Sequence, residues 1–288
     1  MTTIDEHVRR DGALADIDWH VFPPGTVRDT VATPSGALAR VRVGDASGDR
    51  VLLVPGVVGS KEDFVRIVPL LVQQGLRVES FDLAGHYESE HAPPLRDGHY
   101  DFAQYVDDLI AVLRADPAPA HVVGYSFGGL LVQQAAVACP ELMRTVTLLS
   151  CPPATGQVFR GVAHIGPLSD MDPHRAAGLI LWGIRYNLNR ERPQRIAFVR
   201  ERLSRIPRSC IDDVIGMMMH TPDVTEAFAA LGLPTLIAVG RRDLWPVAQH
   251  RAYARRIGAR VALYPGGHAP CETAPHQLVR DLVGLFRE

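Results

Sequence analysis

An α/β fold with a mainly parallel central sheet, flanking helices and a helical insertion is predicted by three features of the 288-residue chain. Short continuous apolar runs, such as Val51-Leu52-Leu53-Val54, carry the signature of strands buried on both faces. Amphipathic stretches at helical spacing alternate with these runs, the rhythm of parallel strands joined by right-handed crossovers. The alternation breaks at Cys151-Pro152-Pro153 and resumes near Leu233-Pro234-Thr235. The stretch between has a different, helical texture.

Each element has its own local reason. After a polar lead-in, Pro34-Ser35-Gly36 reads as a turn and residues 37–43 alternate small or apolar residues with arginine, so antiparallel strands open the fold. The strand over 51–54 ends in Pro55-Gly56. A helix follows it, with Ser60 and Asp63 as a capping box and Phe64, Ile67, Leu70 and Leu71 at helical spacing. Residues 76–82 form the next strand. Tyr105 to Leu113 is a helix that buries Val106, Leu109, Ile110 and Leu113, and 121–125 is the strand after it. Helix 127–138 and strand 145–150 complete the first part.

In the interruption, Pro193 suits a first helical turn, Ile196, Val199, Leu203 and Ile206 make one apolar stripe, and Pro207 ends it. Ser209 with Asp212 marks another helix start, leading to Ile211, Val214, Ile215 and Met218. The rhythm then returns as strand 235–240, helix 246–256, strand 260–265 and closing helix 276–287. Residues 1–151 and 226–288 therefore form the core, and 152–225 a helical insertion after the sixth strand.

Composition narrows the function classes. With 30 basic and 32 acidic residues the formal charge is −2, so no overall field attracts nucleic acid or an anionic membrane. Lys61 is the only lysine, which reads as the coding bias of a GC-rich genome. The first twenty residues lack the apolar core of a secretory signal, and no run of about 18 apolar residues occurs. Cys139, Cys151, Cys210 and Cys271 are scattered without disulfide or zinc spacing, so a reduced, cytoplasmic protein is expected. No metal motif is present. Gly56 to Lys61 resembles a phosphate loop only superficially, because Lys61 follows Ser60 instead of preceding it. No cofactor, no metal and no ATP are expected.

The chemistry starts at Gly124-Tyr125-Ser126-Phe127-Gly128. This G-x-S-x-G lies between a strand and a helix, where a sharp turn leaves no room for neighbouring side chains and exposes the serine oxygen. A serine hydroxyl needs a base, and the base needs an orienting group. Asp243 stands just past one buried strand and His268, in a Gly-rich loop, just past the next. The carboxyl ends of parallel strands share one rim, so Ser126, Asp243 and His268 can converge there. Val54-Pro55-Gly56-Val57-Val58-Gly59-Ser60 leaves another strand, with glycines that free backbone N–H groups to face a developing oxyanion. Val57 and Phe127 are the candidate donors.

In the order serine, aspartate, histidine, these motifs resemble the serine α/β-hydrolases with a cap domain, from about residue 28 to the C-terminus. FDLAGHYES (81–89) resembles that family's D-x-x-G-x-G-x-S loop. The resemblance implies an α/β-hydrolase fold with 152–225 as a helical cap, a triad of Ser126, Asp243 and His268, and an oxyanion hole of Val57 and Phe127. Two departures stand out. Pro55 occupies a position where the family often has histidine, and Tyr87 replaces a glycine of the 82–89 loop.

The expected activity is hydrolysis of a carboxylic ester of a small apolar acyl substrate through an acyl-enzyme. Thioester, C–C bond or lactone cleavage by the same triad are alternatives, as is a ligand-binding protein that barely turns over. Within the insertion, Trp182 and Met218 are candidate substrate contacts, weighed against core packing, which the spacing favours for Trp182. The arginines between Arg185 and Arg208 are interleaved with Glu191 and Glu201, which favours a solvated helix face over a site for a phosphate-bearing carrier. His86 reads as a structural hydrogen-bonder.

Overall fold

The computed structural model of the chain describes residues 3–162, 171–187 and 191–288, with side chains from Glu6 onward. Helix α1 (Thr3–Gly12) precedes the antiparallel strands β1 (Val27–Thr33) and β2 (Gly36–Val43). Next come β3 (Arg50–Val54), α2 (Val68–Val72), β4 (Arg77–Phe81), α3 (Phe102–Arg114), β5 (Ala120–Tyr125), α4 (Phe127–Ala138) and β6 (Met143–Leu149). Helices α5 (Pro173–Arg185), α6 (Pro193–Ser204), α7 (Arg208–Met219) and α8 (Thr225–Ala230) lie between β6 and β7 (Thr235–Gly240). The chain closes with α9 (Val247–Ile257), β8 (Arg260–Tyr264), α10 (Pro270–Thr273) and α11 (Pro275–Phe286). Residues 163–170 and 188–190 of the insertion, Arg190 among its arginines, lie outside the described residues.

One sheet holds the eight strands in the order β1-β2-β4-β3-β5-β6-β7-β8, antiparallel at β1 and β2 and parallel from β4 onward. Parallel strands with helices on both faces have no wet side, so β3 carries no polar alternation. Val51, Leu52, Leu53 and Val54 are all fully buried, each contributing about 1.5–3 kcal/mol. The strand pleat splits them: Leu52 and Val54 join the cluster of Leu109, Val122 and Val146, while Val51 and Leu53 join Leu71, Leu278 and Leu282 on the other face.

Two local readings are corrected, and the polar lead-in acquires an element. The helix expected after Ser60 is divided into a 3₁₀ turn (Lys61–Phe64) and the short α2, because Pro69 is compatible only with a first helical turn. Helix α7 starts at Arg208 with Pro207 at its cap, so Ser209 sits inside the first turn; Asp212 accepts from Arg208 Nε at 2.7 Å. The lead-in forms α1, which packs on α11 and places Asp11 to accept the His276 and Gln277 N–H groups. Among the described residues no helix is long and apolar enough to cross a membrane.

Lys61 has a structural task that composition did not suggest. It is 1% exposed, with Nζ 2.8 Å from Asp82, 2.7 Å from Glu88 and 3.1 Å from Glu62. Burial opposes its charge, but Asp82 and Glu62 outweigh that and raise its pKa. Lys61→Met is expected to lower stability by about 3–5 kcal/mol, since it strands buried carboxylates without their cation. Equilibrium urea unfolding checks this, and a loss below about 1 kcal/mol, the range of exposed pairs, refutes it.

Candidate active site

Between the end of β5 and the start of α4 only one residue is available to turn the chain. Ser126 does so at φ 51° and ψ −118°, a conformation that L-residues seldom adopt and that costs on the order of 1–3 kcal/mol. Its surroundings hold it there: Ser126 N–H donates to Leu149 O at 2.8 Å and Gly129 N–H to Ser126 O at 2.9 Å. Close approach explains the flanking glycines. A Cβ on Gly124 would lie 2.7 Å from Gly129 Cα, and one on Gly128 would lie 2.5 Å from Pro55 O. Ser126 thus caps α4, next to the positive end of that helix.

Sheet order brings the remaining groups to the same rim. Strands β3, β5, β6, β7 and β8 are successive neighbours, paired at their carboxyl ends through Val54 with Gly124, Leu149 with Ala238 and Gly240 with Tyr264. Arg241 N–H to Tyr264 O and Arg242 N–H to Gly266 O, both 2.9 Å, extend the ladder into the loops. The His268 loop passes so close over β7 that a Cβ on Gly240 would lie 1.9 Å from Gly267 O. Side chains at this position are excluded.

Ser126, Asp243 and His268 form one hydrogen-bonded series. His268 Nε2 lies 3.1 Å from Ser126 Oγ, and Nδ1 lies 3.0 Å from Asp243 Oδ1. An ionised carboxylate only accepts, so the imidazole proton sits on Nδ1 and Nε2 is left to accept the serine hydroxyl. The Asp243 side chain has no exposed surface; burial opposes its charge, but the bond to and charge of His268 hold its carboxyl below the usual value. The rings of Tyr125 and Trp245, at centroid distances of 5.5 and 5.8 Å, confine the imidazole. Trp245 is anchored in turn by its Nε1–H, which donates to Val158 O at 2.8 Å. His250, buried near Asp243, is pushed down to about 4 by burial.

The loop after β3 runs beside the serine. A Cβ on Gly56 would lie 3.0 Å from Ser126 Cβ. Gly59 N–H closes a turn onto Gly56 O at 3.0 Å, with Val58 in the left-handed region at φ 49°. Among the described residues, neither the Val57 N–H on this turn nor the Phe127 N–H at the start of α4 has a backbone acceptor. Two unpaired donors therefore stand on the two segments that meet at Ser126.

The other sequence candidates have different surroundings. Trp182 is 52% exposed and its ring lies tilted against that of Tyr186 at 5.4 Å, so it does not pack the core as its spacing suggests. Met218 is buried with Met217 and Met219 in the apolar cluster that includes Trp245 and Val158. His86 is fully buried, kept neutral at about 4 by burial, and donates from Nδ1 to Ala84 O at 3.0 Å. Tyr87 takes φ 42°, the backbone state the family's glycine would permit, and its ring is held by Phe198 at 5.7 Å and Lys61 Nζ at 5.1 Å.

The solvated-face reading fails for two arginines of α6. Arg195 and Arg202 are 7% and 4% exposed and reach Asp63 at 2.9 and 2.6 Å, and Arg195 also pairs with Glu272. A signal existed: Arg195, Val199 and Arg202 follow i, i+4, i+7 and share the inward side of the helix. Burial, only partly offset by Arg195, pushes Glu272 up to about 7, whereas Arg202 and Arg195 overcome burial at Asp63 and lower its pKa.

Fold and site together define a class, and sequence comparison agrees: the chain belongs to the alpha/beta hydrolase family, which matches residues 51–282. It is 31% identical over 253 residues to a Variovorax paradoxus protein named "Putative carbamate hydrolase RutD", covering 84% of this chain and 93% of that one. Pimeloyl-acyl carrier protein methyl ester esterase of Methylococcus capsulatus is 30% identical over 223 residues, covering 72% of this chain and 82% of its own. A thermophilic esterase from Thermogutta terrifontis shares the fold at a TM-score of 0.73 and 21% identity, over 91% of this chain and 98% of that one. These matches place the chain among hydrolytic enzymes.

Proposed function

We propose that the protein is a serine hydrolase that cleaves the carboxylic ester of a small apolar acyl compound through an acyl-enzyme on Ser126. The observation that carries this reading is the series Ser126 Oγ, His268 Nε2, His268 Nδ1, Asp243 Oδ1, with steps of 3.1 and 3.0 Å. As Ser126 Oγ attacks the ester carbonyl, its proton passes to His268 Nε2, and the carbonyl electron pair moves onto oxygen. Val57 and Phe127 N–H groups hold that oxyanion. Collapse of the intermediate expels the alcohol, which takes the proton from His268. Water then repeats the sequence, releasing the acid and regenerating Ser126.

In this reading residues 152–225 act as a cap, supported by the Trp245 bond to Val158 and the α6 arginines at Asp63. The two sequence relatives carry names of carbamate and methyl ester hydrolysis, both cleavages at an acyl carbon bearing a heteroatom leaving group. The test uses short and medium p-nitrophenyl esters together with a fluorophosphonate probe. Turnover with one probe per chain, found by mass spectrometry on the peptide holding Ser126, is expected. Ester turnover by a chain that takes up no probe at Ser126 refutes the reading.

A further inference from the structure

We infer that Arg195 and Arg202 of α6, acting through Asp63, are positioning residues that fix the oxyanion loop against the His268 segment; the inference rests on the hydrolase reading above. Pro55 cannot supply the side-chain bond that a histidine there would make. The turn over 56–59, with a valine held at φ 49°, therefore needs a restraint from elsewhere.

Asp63 supplies it from behind the turn. One oxygen, Oδ2, accepts the Ser60 N–H at 3.2 Å and would lie 2.7 Å from a Cβ on Gly59, so the carboxylate is in close contact with the turn. The other, Oδ1, accepts Arg202 Nη1 at 2.6 Å and Arg195 Nη2 at 2.9 Å. Arg202 Nη1 also reaches Ser60 Oγ at 3.2 Å. Charge-assisted bonds of this kind are short and directional, and all three side chains are over nine-tenths buried.

Arg195 joins the two halves of the site. Its Nη2 donates to Glu272, four residues beyond His268, as well as to Asp63. One guanidinium thereby spaces the segment bearing Val57 from the segment bearing His268. Helix α6 is itself fixed by Phe198, whose ring meets Tyr87 at 5.7 Å and His20 at 5.0 Å, and by Arg195 lying 4.3 Å over Trp19.

The experiment compares Asp63→Asn, Arg202→Met and Arg202→Lys in the full-length protein. With a p-nitrophenyl ester, Asp63→Asn and Arg202→Met are expected to lose about 10–100-fold in kcat while KM stays within about threefold, because displaced donors weaken transition-state binding more than substrate binding. Affinity for a boronic acid that mimics the tetrahedral state should fall in proportion to kcat/KM. Affinity for the product carboxylate should not, and Arg202→Lys should recover part of the loss. Hydrogen exchange in Arg202→Lys should rise at residues 56–63 alone, a readout that stands even if the other variants do not fold. Unchanged exchange at 56–63, a global rise in exchange, or folded variants with unaltered boronate affinity and kcat overturn the inference. Retained turnover in Ser126→Ala would instead sink the hydrolase reading, independently of these variants.

Discussion

Ser126→Ala is expected to reduce kcat on a p-nitrophenyl ester by a factor on the order of 10⁴ or more, with no loss of fold. Alanine keeps the Cβ, so the strain at φ 51° and the backbone bonds to Leu149 and Gly129 are the same in both proteins. Only Oγ is lost. In the proposed mechanism His268 Nε2 then has no hydroxyl to deprotonate, and covalent catalysis stops. On that mechanism the residual rate is the one expected for water attacking an ester still bound beside Val57 and Phe127. Urea unfolding should give a midpoint close to the parent's, and fluorophosphonate labelling should vanish. A variant that keeps more than about 1% of kcat, where loss of the nucleophile should leave far less, has another nucleophile, and the acyl-enzyme on Ser126 is then wrong.

What the sequence disclosed and what it hid follow one physical division. Strands β3 and β7 are legible because burial on both faces keeps residues 51–54 and 236–239 apolar without a break. The elbow is legible because backbone packs against backbone on both sides of Ser126, and only glycine at 124 and 128 survives that. Asp243 and His268 are legible because each follows its strand within a few residues, so topology alone carries them to the rim. Edge strand β1 is harder to see, with only Val31 fully buried among mixed exposure. Pairings between distant segments leave no local trace at all. Asp63 lies 132 residues from Arg195, and Glu272 lies 77 residues from it, so the buried ion cluster looks like ordinary surface charge until the fold is known. Trp182 misleads in the opposite direction: helical spacing suggests a packed face, yet the side chain is half exposed.

Asp243→Asn is expected to cost about 10⁴-fold in kcat, nearly as much as removing the nucleophile, while the backbone is undisturbed. The amide is nearly isosteric, but its NH₂ can donate to His268 Nδ1, which moves the imidazole proton to Nε2. That nitrogen then faces Ser126 as a donor and cannot accept its proton. The charge matters as well as the tautomer, because a carboxylate 3.0 Å from the imidazole favours the imidazolium formed in each step. The sign for stability is separate. Asp243 is held below its usual 3.8, so its contribution is present above that value and is lost as pH falls through the lower native value. Acid unfolding followed at several pH values should therefore show the parent's advantage over Asp243→Asn shrinking only below about 3.8. A variant within tenfold of the parent's kcat would mean that Asp243 does not orient His268, and the base would have to be oriented by another group.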